Sequence, residues 1–178
     1  NNGNITINTK DINALHNGIR TWQESKGETN ITINGDIVTT GSLNLNSKTA
    51  TYTDYSHRYG IISYSEGSNI SINSNGNVTS VDRGIYAQNM GTGYTIINSN
   101  GNITASNNNT NEEFNQAGIE VYHGNNAGFI NINAQNTEGL SHGIYAENNG
   151  TDTILGIGFS TLINVTSGNV VGKGSHSE

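Results

Sequence analysis

Side chains of the kinds that recognise partners recur at fixed distances behind one glycine. Gly18, Gly60, Gly84, Gly118 and Gly143 each open a short run. Two residues after the glycine stand Arg20, Ile62, Tyr86, Glu120 and Tyr145, and two further on stand Trp22, Tyr64, Gln88, Tyr122 and Glu147. Trp, Tyr and Arg are enriched where protein surfaces bind. A spacing of two is that of a strand, so both sets are expected on one outer face as two columns. A further group, Tyr52, Tyr55, Arg58 and Tyr59, lies just ahead of Gly60 and is expected to extend that face. The candidate binding residues are therefore Arg20, Trp22, Tyr52, Tyr55, Arg58, Tyr59, Tyr64, Tyr86, Tyr122 and Tyr145. Stacked aromatics also stiffen a sheet by cross-strand pairing, and aromatic faces also bind sugars. A protein partner, a glycan and a purely structural role all fit the pattern.

Catalytic chemistry fits less well. Cleavage of polysaccharides needs carboxylates held together as acid and base, or around calcium. The aspartates Asp11, Asp36, Asp54, Asp82 and Asp152 are not expected at matching positions in adjacent regular units, and Glu112 and Glu113 lie in an Asn-rich stretch. No G-x-S-x-G elbow is present. His16 and His142 sit just ahead of repeat glycines in distant units, where a turn residue bonding locally is expected rather than a metal pair. The chain has no cysteine, which removes disulfides and thiolate zinc sites. The expectation is a non-enzyme without catalytic, cofactor-binding or metal-ligating residues. A carbohydrate-active enzyme, a polysaccharide lyase or hydrolase, stands as the alternative.

The elements that must position these side chains come from an internal repeat. Residues 59–82 (YGIISYSEGSNISINSNGNVTSVD) and 83–106 (RGIYAQNMGTGYTIINSNGNITAS) share a Gly-Ile start, a β-type middle run, the hexapeptide INSNGN and an aliphatic-Thr ending. The hexapeptides start 25 residues apart. A period of that length without a helical pattern marks a solenoid. The glycine intervals are 42, 24, 34 and 25 residues. Two are bare units; the other two carry insertions, Thr40 to His57 and Ser106 to Gln116, both between the last strand of one unit and the Gly-Ile of the next. The first insertion is expected to form a hairpin or lobe beside the solenoid, and recognition is expected to gather on that side.

Composition agrees. Of 178 residues 31% are hydrophobic and 12% charged, so order must come from backbone pairing and thin apolar rows. The absence of proline suits a chain that is mostly strand. A net charge of −7 and a pI near 5.1 argue against nucleic acid as a partner. No run of 18 apolar residues exists to cross a membrane as a helix. The chain starts in mid-repeat style with Asn rather than Met, as expected of a piece of something longer.

The expected fold is all-β, a right-handed parallel β-helix (β-solenoid) of about six coils of roughly 25 residues with corner insertions. Residues 1–171 form its single domain and 172–178 a flexible tail. Its interior should hold one row of Ile19, Ile61, Ile85, Ile119 and Ile144 and another of Thr21, Ser63, Ala87, Val121 and Ala146. The Asn and Gly of INSNGN are expected to tolerate left-handed backbone at a corner, with stacked Asn side chains bonding from coil to coil. An INSNGN-type turn is thus expected to separate the second and third strands of each unit.

Gly84-Ile85-Tyr86-Ala87, Gly143-Ile144-Tyr145-Ala146, Gly76-Asn77-Val78-Thr79 and Gly101-Asn102-Ile103-Thr104, without cysteine and with insertions at one corner, resemble the passenger domains of type V autotransporters. The resemblance runs from about Asn4 to Val171 and is most like the Bartonella autotransporters, a group that includes a secreted proangiogenic factor. It implies a secreted or surface-displayed β-helix, exported through the outer membrane by a C-terminal barrel that this stretch does not contain. It further implies a virulence-associated ligand or adhesin for a host cell-surface receptor, and in the sharpest version a proangiogenic ligand of an endothelial growth-factor receptor of the VEGF-receptor type. A stalk segment that projects a distal part is a third reading.

Overall fold

The computed structural model describes residues 3–41, 58–106, 116–150 and 162–173. In chain order the strands are β1 (Ile5–Thr9), β2 (Ile12–Ala14), β3 (Ile19–Gln23), β4 (Thr29–Ile33), β5 (Ile37–Thr39), β6 (Ile61–Ser65), β7 (Ile70–Ser74), β8 (Val78–Ser80), β9 (Ile85–Asn89), β10 (Thr95–Ala105), β11 (Ala117–His123), β12 (Ile130–Gly139), β13 (His142–Asn148), β14 (Ile163–Ser167) and β15 (Val170–Gly172). No helix occurs among the described residues. Every pairing between strands is parallel, and each strand pairs with its counterpart one coil away. The chain is a parallel β-helix.

Three faces result. The first is the five-stranded sheet β3-β6-β9-β11-β13. The second stacks β1, β4, β7, the first half of β10, the first half of β12 and β14. The third stacks β2, β5, β8, the second halves of β10 and β12, and β15. In two coils the expected turn between second and third strands is instead continuous strand, β10 and β12, with a register shift between Ser99 and Asn102 where the chain rounds the corner. Asp11 to Leu15 contains a strand, β2. Gly172, placed in the tail by sequence, lies in β15 opposite Gly139.

Alternation places the core. In β4, β6, β7 and β9 every second residue is buried. Ile19, Ile61, Ile85, Ile119 and Ile144 pair in one inner row as expected, as do Thr21, Ser63, Ala87, Val121 and Ala146. Ile31, Ile72, Ile97 and Ile132 form a fully buried row on the second face. Full burial of such a side chain contributes roughly 1.5–3 kcal/mol. The thin core also holds hydroxyls, and where Thr21 meets Ser63 they satisfy each other at 2.9 Å.

The hexapeptide INSNGN can be read residue by residue. Ile72 and Ile97 enter the core. Asn98 donates to Asn73 at 2.9 Å and accepts from Asn133 at 3.0 Å. Ser74 and Ser99 turn inward and donate to the carbonyls of Gly76 and Gly101, each at 3.1 Å. Asn75 donates to Asn34 at 3.0 Å and accepts from Asn100 at 2.9 Å. Asn77 accepts the backbone N–H of Asn102 at 3.0 Å. The Asn ladders are thus present. The glycines serve a different purpose from the one expected. No described glycine has a φ between +20° and +160°. A Cβ on Gly76 would lie 2.2 Å from the carbonyl oxygen of Gly35, and one on Gly101 2.2 Å from that of Gly76, so close coil approach is what excludes a side chain.

Ahead of the regular units, Asp11 and Asp36 occupy matching positions, because β2 pairs with β5. The Asp11 carboxylate accepts the backbone N–H of Asp36 at 2.9 Å, and Asp36 accepts that of Asn77 at 2.7 Å. The incomplete first coil carries the same corner column as the regular units, and there the carboxylates act as backbone acceptors.

The glycines that open the units form a second column of close approach. A Cβ on Gly84 would lie 2.2 Å from Cγ2 of Ile103 and 2.4 Å from the carbonyl oxygen of Gly118. Gly60 is similarly hemmed in by Val78 and Gly84, and Gly18 by Ile37 and Gly60. Overpacking typically costs about 1–3 kcal/mol. Gly84→Ala is therefore expected to lose at least about 1–3 kcal/mol in denaturant unfolding, whereas Gly3→Ala, with nothing within 4 Å, should leave stability unchanged. Equal midpoints for the two variants would contradict this packing.

Gln23, Ser65, Asn89, His123 and Asn148 end the first-face strands in one column. Asn89 and Asn148 donate to turn carbonyls. His123 is fully buried. Its Nδ1 lies 3.2 Å from the Gly128 carbonyl and its Nε2 2.7 Å from Thr95 Oγ1. A carbonyl only accepts, so Nδ1 carries the proton and Nε2 accepts from the Thr95 hydroxyl. Burial pushes the imidazole pKa down to about 4. As pH falls through about 6.5 the unfolded chain takes up a proton that the folded chain refuses until about 4. The His123 contribution is absent above that window and destabilises within it, by roughly 3 kcal/mol at full extent. His123→Asn, which copies its column neighbours, should flatten the fall in unfolding free energy between pH 6.5 and 4 relative to wild type. Parallel pH profiles for the two chains would contradict it.

Candidate binding face

The outer side of the five-stranded sheet carries both expected columns in register. Arg20, Ile62, Tyr86, Glu120 and Tyr145 follow one another across the strands, as do Trp22, Tyr64, Gln88, Tyr122 and Glu147. Adjacent members are about 4.8 Å apart from one strand to the next. Trp22 is 52% exposed on the edge strand β3. Its ring stacks on Tyr64 with centroids 4.3 Å apart and planes inclined at 24°.

A set of contacts that sequence reasoning missed holds the aromatic tips, four of them bonded to the side chain two residues on: Glu24 and Glu66 beyond the second column, Gln88 and Glu147 within it. Trp22 Nε1 donates to Glu24 at 3.0 Å, and Tyr64 donates to Glu66 at 3.0 Å. Tyr86 donates to Gln88 and Tyr145 to Glu147, each at 2.7 Å. Asn149 donates to Glu147 at 2.7 Å and to the Tyr122 hydroxyl at 3.3 Å. The bonds from Tyr145 and Asn149 hold the Glu147 pKa below the ordinary carboxylate range. The signal lay in the sequence as an aromatic followed two residues later by Glu: Trp22-Glu24, Tyr64-Glu66, Tyr145-Glu147. On a strand that spacing puts both on one side, within reach of each other.

Arg58 and Tyr59 were placed on this face by sequence, and the structure buries both. The Arg58 guanidinium donates to both oxygens of Asp82, at 2.7 and 3.2 Å, and to the carbonyl of Gly41 at 3.2 Å. Its backbone N–H adds a bond to Asp82 at 2.9 Å. The side chain thus ties the segment after β5 to the next coil. Tyr59 packs under Arg83, whose guanidinium carbon is 5.0 Å from the Tyr59 ring centre and 5.2 Å from that of Tyr86. Arg83 also hydrogen-bonds the Tyr59 hydroxyl and pairs with the buried Glu120. Burial pushes the Tyr59 pKa up to about 12, and burial raises that of Glu120 against the pull of Arg83. Arg58, Tyr59 and Arg83 brace the corner beneath the columns rather than presenting themselves, and Glu120, though a member of the first column, is buried against Arg83. Tyr52 and Tyr55 lie outside the described residues.

The two insertions connect β5 to β6 and β10 to β11, so both bridge the third face to the first. Among the described residues no group of three or more His, Asp or Glu side chains is placed to hold a metal ion. His142 stacks at a tilt on Tyr145, with centroids 5.4 Å apart. A second aromatic pair, Tyr94 and Phe129, stacks at 4.9 Å near the turn between first and second faces. An open depression of about 460 Å³ lies elsewhere, over the Asn ladder at Asn98, Asn133 and Gln135, and shares no residue with the aromatic columns.

Comparison with protein-family models, curated proteins and solved structures yields no match for this chain.

Proposed function

We propose that this β-helix is a non-enzymatic display module that binds a host cell-surface molecule through the outer side of its five-stranded sheet. The observation that carries the reading is the stacked, half-exposed Trp22–Tyr64 pair at the head of two in-register columns. Aromatic anchors dominate binding energies where they can be desolvated. A face held by hydrogen bonds to the neighbouring coils has little order left to lose, so less of the interaction is spent on ordering. The resemblance to autotransporter passengers gives the setting: secretion or display at a bacterial surface, with an endothelial growth-factor receptor as the sharpest candidate partner.

The test uses the purified chain on endothelial cells and on immobilised receptor ectodomains. Saturable binding is expected, and Trp22→Ala with Tyr64→Ala should weaken it by about 2 kcal/mol, roughly thirty-fold in affinity. Thr79→Ala, on the outer side of the third face, should bind as wild type. Full binding by the double aromatic variant, or no binding by the native chain, would overturn the proposal.

A further inference from the structure

The charges around the aromatic columns do not balance, and they indicate the partner's chemistry. Glu120 is neutralised by Arg83. The remaining ion pairs among the described residues are Arg58–Asp82 and Lys173–Glu138. None involves Glu24, Glu66 or Glu147. Against those three carboxylates stand two exposed cations, Arg20 in the columns and Lys26 two residues after Glu24, and among the described residues neither is ion-paired with them. Each carboxylate is held by an aromatic N–H or O–H from two residues before it, so its position is set before any partner arrives.

We infer that this face recognises a basic peptide segment of its partner, whose Lys or Arg side chains lie over the exposed aromatic rings and bond the carboxylates that those rings hold in place. The inference rests on the proposed function and adds the chemistry of what is bound. A guanidinium or ammonium is attracted to the face of Trp or Tyr and forms its stronger hydrogen bonds to ionised acceptors. The protein already uses that combination internally, with Arg83 against the Tyr59 and Tyr86 rings and bonded to Glu120. Glu24 and Glu66 directly follow the neighbouring strands β3 and β6, and Glu147 lies in β13, three strands beyond β6, so the span from β3 to β13 is roughly 19 Å at about 4.8 Å per strand. An extended segment of about six residues covers it at roughly 3.3 Å each. An acidic glycan meets like charge here, and a neutral glycan leaves the carboxylates without a counter-charge.

Trp22 is the chain's single tryptophan, so its fluorescence reports on the site directly. The full chain is titrated with a hepta-arginine peptide, a glycine-serine peptide of equal length, a neutral hexasaccharide and a heparin hexasaccharide. The arginine peptide alone is expected to change Trp22 emission saturably. Its affinity should fall at least about tenfold between roughly 0.05 and 0.5 M salt, as screening shortens the reach of the charges. Glu24→Gln with Glu66→Gln, which retains an acceptor for each aromatic tip, should weaken binding about tenfold at low salt with unchanged thermal unfolding. Equal affinity of the Gln variant, or a response to either saccharide and none to the arginine peptide, overturns the basic-segment inference. Cell binding is measured in parallel. If it depends on Trp22 and Tyr64 but is indifferent to Glu24 and Glu66, the display reading stands and this inference falls. If the native chain binds no cells, the display reading falls as well.

Discussion

The structure depends on how closely one coil can lie upon the next. Parallel strands must approach to about 4.8 Å along their whole length for the ladder to close. At the corners a side chain stands in the way, and glycine is the answer at all three, with Gly27, Gly67 and Gly91 at the corner between first and second faces. Gly76 and Gly101 pass within a Cβ's reach of the neighbouring carbonyl, the column from Gly18 to Gly118 meets the next glycine's carbonyl, and Gly18, Gly60, Gly84 and Gly143 each meet an aliphatic side chain. With the corners closed, Asn73, Asn98 and Asn133 come into hydrogen-bond range of one another and the inner isoleucines stack without gaps. A core this thin does not carry the fold alone; the ladders of backbone and carboxamide bonds share the load.

That constraint also makes the outer face. Because register is set by the inner rows and the corner ladders, outward side chains fall into columns whatever their identity. Arg20, Ile62, Tyr86, Glu120 and Tyr145 share little chemistry, yet they follow one another strand by strand. The outward positions are therefore free to carry recognition, while the inward ones repeat. The buried Arg58–Asp82 pair and the Arg83–Tyr59–Glu120 cluster brace the corner beside this face. Buried charges of this kind are costly to separate, so the corner behaves as a rigid base for the segments that leave it.

Much of this was legible in the residues themselves. The hexapeptide repeat located the coils, and alternation behind each glycine assigned the inner and outer rows correctly. What the residues concealed was geometry between coils. Arg58 and Tyr59 read as surface aromatics and cations, because nothing local shows that Asp82 and Arg83, 24 residues on, are their partners. Asp11 and Asp36 looked unrelated because the first coil is incomplete and begins without its opening glycine. The reason for the corner glycines was legible as a need for glycine, but not as close approach in place of a left-handed backbone. Glu24 and Glu66 carry no signal when read singly, and Glu147 reads only as a column member, since the meaning of all three lies in pairing with an aromatic two residues earlier.

As proposed, recognition belongs to the outer columns of the five-stranded sheet. Hydroxyl-radical footprinting of the chain bound to endothelial cells checks this, because Trp22, Tyr64, Tyr94 and Phe129 are all oxidisable and form two separate pairs. Trp22 and Tyr64 are expected to lose reactivity on binding while Tyr94 and Phe129, at the turn toward the second face, keep theirs. Protection of Tyr94 and Phe129 with Trp22 and Tyr64 as reactive as in the free chain would contradict it.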